Sequence, residues 1–171
     1  MSLSSQALRL LDRATQGANV IGTLLIAGLV VLICVDVVGR EAFGAPLKGV
    51  PEMIALSIVA IVFLQVPQAL RAGRLTRSDG VINVLHRRKP RLAALLETVF
   101  EVLGFAVVAT ILYAHWPLLV KAYTRGDFVG STGNLTIPTW PVKAMILVGC
   151  VLLGLQFLAR IARRFKGEPV E

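Results

Sequence analysis

The sequence predicts an all-α, polytopic membrane protein of four transmembrane helices with short interfacial amphipathic helices, and three observations predict it. The 171-residue chain is 56% hydrophobic with a mean hydropathy of +0.74, high for a soluble domain. Charged residues nearly vanish from four stretches of roughly 20 residues each, the length that crosses a hydrocarbon core of about 30 Å. Those charges gather in the segments between, where most are cationic. One membrane domain spanning residues 1–171 accounts for this pattern, with spans at approximately 19–39, 51–70, 92–115 and 141–159.

The net charge of +8 would raise nucleic-acid binding in a soluble protein. Here the cations flank apolar spans, where lipid headgroups and insertion topology already explain them. Membrane lipids are therefore expected partners and nucleic acid is not. Cys34 and Cys150 both fall within apolar stretches, so they read as small apolar fillers and not as a disulfide scaffold or metal site.

Residues 1–17 place Leu3, Ala7, Leu10, Leu11 and Ala14 on one helical stripe. This suits either an interfacial helix or an extension of the first span. The apolar run that follows is too long for the core of a cleaved signal, so it is expected to stay as a helix. Span one ends on Asp36 and Arg40, spaced i, i+4 in the favourable order. A carboxylate inside a span is a functional candidate, but this one can pair at the interface.

Span two opens at Pro51 and Glu52. Proline suits a first helical turn, and glutamate there meets the positive end of the helix dipole. Gln65, Pro67 and Gln68 form the most polar patch in any span. Pro67 removes one backbone bond and crowds the Phe63 carbonyl, so a kink is expected, and the glutamines are candidates to bond a neighbouring helix or that carbonyl.

The connection from Arg71 to Arg91 carries seven cations, Arg71 and Arg74 among them, against one acid, Asp79. A short interfacial helix capped by Ser78 and Asp79 fits its apolar positions. Span three brings Glu97 and Glu101 onto one face, one turn apart near its start. Such a pair suits either a cation site or structural pairing with nearby arginines. His115, Trp116 and Pro117 are expected at the opposite interface. The Gly-rich stretch 121–137 reads as a loop, closed by Pro138, Thr139, Trp140 and Pro141 before span four.

Charge sets the orientation. The N-terminal segment holds two Lys or Arg, the middle connection seven and the C-terminal tail four, which makes thirteen of eighteen; Arg40, Lys48, Lys121, Arg125 and Lys143 fall on the other side. By the positive-inside rule both termini are expected in the cytoplasm. No phosphate loop, metal-spaced Cys/His cluster or nucleophile triad is present in the sequence. No catalytic, cofactor or metal residue is therefore predicted, and the chain reads as a non-enzyme. Four spans without a central charged site also make a poor stand-alone transporter.

Several short segments resemble the small membrane subunit of tripartite ATP-independent periplasmic (TRAP) transporters, the DctQ-like family. They are Asp36-Val37-Val38-Gly39-Arg40, Phe43 with Gly49-Val50-Pro51-Glu52, Ala69-Leu70-Arg71-Ala72-Gly73, and Ile137-Pro138-Thr139-Trp140-Pro141. Their order and spacing carry the resemblance. Where many relatives have a His-Ile-like pair after the glycine beyond span two, this chain has Arg74-Leu75.

The resemblance implies a bacterial inner-membrane scaffold for a large permease subunit. A periplasmic binding protein would deliver a solute, an organic acid in many relatives, and a sodium or proton gradient would drive uptake. It places Asp36, Arg40 and Glu52 at the periplasmic end of the first helical hairpin, and Arg71 and Arg74 at its cytoplasmic end. With Gln65, Gln68, Glu97, Glu101 and Trp140 these are the structural or subunit-contact candidates. One rival reading is a small four-helix drug/proton exporter; the shallow position of Asp36 and the long middle connection count against it. A second is a membrane enzyme of lipid or thiol chemistry, for which Glu97 and Glu101 are the only candidate pair.

Overall fold

The computed structural model describes residues 3–45, 47–73, 90–130 and 136–165. Four helices long and apolar enough to cross a membrane occupy almost all of them: α1 (Leu3–Phe43), α2 (Val50–Arg71), α3 (Pro90–Arg125) and α4 (Trp140–Phe165). The expected interfacial helix near Ser78 and Asp79 lies outside the described residues, as does Arg74.

The helices run past the stretches expected to span. α1 is continuous over 41 residues, about 60 Å at 1.5 Å per residue. Gly17 is a weak position where the N-terminal stripe meets the expected span. A lone glycine costs only about 1 kcal/mol relative to alanine, and Thr15 and Ala18 beside it are buried against the bundle. The N-terminal stripe is thus an extension of the first helix. α3 likewise continues ten residues beyond His115, with Pro117 inside it. An interior proline costs about 3 kcal/mol, yet the helix holds because its far end is packed, with Ala122 fully buried.

α2 and α4 form the centre. α4 packs against α3, α2 and α1, and α2 packs against α1, which leaves α1 and α3 on opposite flanks. Val108, Ile146 and Cys150 are the buried heart of the α3–α4 seam, with Phe63 of α2 and Phe157 of α4 packed on them. Cys150 is therefore the apolar filler expected of it, whereas Cys34 is exposed on α1.

The tightest contact involves Gly149. A Cβ there would lie 2.2 Å from the backbone oxygen of Phe63, so only glycine lets α4 come this close to α2. Phe63 is also the residue whose helical donor Pro67 removes four positions on. The carbonyl that proline leaves without its usual partner abuts the bare backbone of Gly149, a place for a weak Cα–H···O contact. Small residues at such seams are how membrane helices gain packing when lipid supplies no hydrophobic drive.

Beyond α3, Gly126 takes a left-handed φ of 65° and the chain forms a two-stranded antiparallel ribbon, β1 (Phe128–Val129) with β2 (Ile137–Pro138). The stretch expected to be a plain loop thus contains a small hairpin. Strands of two residues carry no alternation for a sequence to display.

Candidate functional site

The polar side chains gather at the two ends of the bundle. At the end where α1 turns into α2, Asp36 is buried although Val35, Val37 and Val38 beside it are exposed. One carboxylate oxygen accepts from the Arg40 guanidinium at 2.9 Å, and the other accepts from the Leu47 backbone N–H at 2.9 Å. The first bond is local. The second ties the α1–α2 loop down across eleven residues. Gly39 assists, because a Cβ there would meet the Ala45 carbonyl at 3.1 Å, and its own carbonyl accepts from the Ala45 N–H. The Asp-x-x-Gly-Arg segment is therefore a device for folding the loop back on the helix end.

Glu52 sits in the first turn of α2, behind Pro51 and a left-handed Gly49 at the N-cap. No side chain caps this end, so the glutamate complements the exposed N–H groups through the helix dipole.

At the opposite end three helices are cross-tied. The Arg71 Nε of α2 donates to Asp12 Oδ1 of α1 at 3.0 Å, while its Nη1 approaches Gln68 Oε1 at 3.4 Å. One turn along α1, the fully buried Thr15 hydroxyl accepts from Gln156 Nε2 of α4 at 3.0 Å. Gln65, a further turn and a half inside, lies over Gly22 of α1, its Cγ 2.9 Å from where a Cβ would stand. Gln65 of the polar patch thus faces α1, whereas Gln68 lies along α2 toward Arg71.

Thr15 and Gln156 give a direct prediction. Thr15→Val leaves the buried amide without its acceptor, at a cost of about 1 kcal/mol, the order seen for hydrogen bonds between membrane helices. The double variant Thr15→Val/Gln156→Leu should recover most of that loss, since removing both partners of a buried bond is nearly neutral. Thermal unfolding in detergent checks this, and purely additive losses would contradict it.

Glu97 is half-buried and Glu101 fully buried on α3. Trp140 opens α4, and its ring meets Tyr123 edge to face at 6.0 Å. Next to it Asp127 organises the hairpin. Its carbonyl accepts from both the N–H and the hydroxyl of Thr139, and its carboxylate lies 3.5 Å from the Lys143 ammonium.

The structure brings together Asp36 with Arg40, and Gln68 with Arg71. It does not bring the candidates together into one site. Asp12, Thr15, Gln156 and Asp127 are polar contributors that sequence reasoning passed over. Two carried a signal: Asp12 is the one acid among residues 1–17, and Gln156 the one amide in span four. Among the described residues no group of His, Cys, Asp or Glu is arranged to hold a metal ion.

What the arrangement can do is brace. Its ends are tied by ion pairs and hydrogen bonds, while α1 and α3 turn bare aliphatic faces outward, with Leu24, Val31, Val38, Phe100, Leu103 and Val107 all exposed. A family model described as the DctQ component of tripartite ATP-independent periplasmic transporters matches residues 29–167. No curated protein and no solved structure matches the chain.

Proposed function

The chain belongs to the DctQ-component family of tripartite ATP-independent periplasmic transporters, and from that premise we propose how this small membrane subunit works. It is a static brace against which a large permease subunit moves. It contributes no catalysis of its own. It sits in the inner membrane of a bacterium with both termini in the cytoplasm. The permease takes up a solute, an organic acid by family resemblance, from a periplasmic binding protein at the expense of an ion gradient.

One observation carries this reading: the strong polar contacts are spent on tying loops and helix ends, and the outer faces of α1 and α3 are left apolar. A partner helix packs on such a face as readily as lipid does. The exporter reading fares worse, because its best carboxylate, Asp36, is committed to Leu47 and Arg40.

Deleting this chain while keeping the large subunit and the binding protein tests the proposal. Uptake of the solute that stabilises the purified binding protein should fall to background and return when the chain is restored. Unchanged uptake in the deletion would refute the proposal.

A further inference from the structure

At the hairpin end of the bundle, α2, α3, α4 and the ribbon enclose a crevice of about 650 Å³, within the size range of small-molecule sites. Its mouth, at the hairpin end, carries Arg125, Asp127 and Lys143 beside Phe128 and Val129 of the ribbon; farther along the helices it is lined by Leu56, Val59, Val142 and Ile146, with His115 about 15 Å down α3 from Arg125. Leu56 and Val142 also line a second groove of about 260 Å³ between α1, α2 and α4, bounded by leucines of α1 and apolar but for Ser57. A polar mouth and an apolar trough therefore share a wall.

Two features of the crevice point to a polar, anionic ligand. Among the described residues His115 Nε2 is buried without a hydrogen-bond partner, an arrangement that costs free energy unless something else meets it. Arg125 and Lys143 outnumber Asp127, and the Lys143–Asp127 separation of 3.5 Å is a loose pairing that leaves ammonium donors to spare. Depth points to a lipid. The Trp140–Tyr123 pair follows directly on Thr139 of the crevice wall, and such aromatic residues favour the headgroup level of a bilayer. A small soluble anion would satisfy the mouth and leave the trough empty.

We propose that this crevice binds a phosphate-bearing membrane lipid. Lys143 and Arg125 meet the headgroup phosphate, and one acyl chain lies along Leu56 and Val142 into the groove between α1 and α2. A bound lipid would fill the wedge between the central helices and cement the hairpin end of the brace.

Native mass spectrometry of the full-length chain, delipidated in mild detergent and titrated with phosphatidylglycerol, tests this. Arg125→Ala/Lys143→Ala should weaken binding about tenfold or more, the scale of losing charge-assisted bonds to phosphate. Leu56→Trp keeps both charges and fills the trough, so it should weaken binding as well; it decides the matter if the double variant does not fold. Lys121→Ala, which removes a charge outside the crevice, should change nothing. Diacylglycerol, which lacks the phosphate, should bind at least about tenfold more weakly, and inorganic phosphate should not displace the lipid. Equal lipid binding by Leu56→Trp, equal binding of diacylglycerol, or displacement by inorganic phosphate would each overturn the proposal.

Discussion

Asp36→Ala is expected to destabilise the purified chain more than any other alanine substitution among the charged residues at the bundle ends. The carboxylate is buried and holds two donors, one of them the Leu47 N–H that ties the loop to the helix end. Hydrogen bonds to charged groups contribute about 1.5–3 kcal/mol, so a loss near 2 kcal/mol is expected. Arg40 supplies little of this. Its side chain is 61% exposed, and exposed pairs contribute about 0–1 kcal/mol, so Arg40→Ala should be mild. Asp36→Asn keeps an acceptor for Leu47 and should fall between the two. Thermal unfolding in detergent ranks the three variants, and an Arg40→Ala loss equal to that of Asp36→Ala would show that the ion pair, not the loop tie, dominates. Cysteine accessibility at Leu47→Cys should rise in the Asp36→Ala background as the loop comes away.

Gly149→Ala should cost as much or more, with no polar group involved. The added methyl would stand 2.2 Å from a backbone oxygen, well inside the roughly 3.3 Å at which carbon and carbonyl oxygen meet comfortably. Backbone cannot rotate out of the way as a side chain can, so α2 and α4 have to part. Overpacking of this kind costs about 1–3 kcal/mol, and Gly149→Leu should prevent accumulation of folded protein. Gly28 on α1 is the comparison, since a Cβ there meets nothing within 4 Å. Gly28→Ala should be neutral or stabilising by up to about 1 kcal/mol. Comparable melting for the two alanine variants would contradict the seam described at Phe63.

These two positions also show what a sequence can and cannot disclose. The spans were legible because charge is excluded from long apolar runs whatever the tertiary packing. The Asp36–Arg40 pair was legible because i, i+4 spacing on one helix is local geometry. The Leu47 bond was not, since it depends on how a loop folds back. Pro67 has no N–H to offer the Phe63 carbonyl, and the neighbour of that carbonyl is a glycine on another helix, while the nearby glutamines turn toward α1 and along α2. Thr15 with Gln156 and Asp12 with Arg71 share this difficulty: each pairing depends on the rotational phase of two helices. The continuation of α3 through Pro117 was hidden for a related reason, because burial of Ala122 outweighs a local breaker.

The chain is proposed as a brace for a larger membrane partner. The most direct measurement is co-purification of the tagged chain with the large permease subunit proposed as its partner, extracted in mild detergent and followed by size-exclusion chromatography with mass determination. One co-migrating species containing both chains in equal amounts is expected. Separate elution of the two, each monodisperse at its own mass while uptake in the parent membranes is intact, would contradict it.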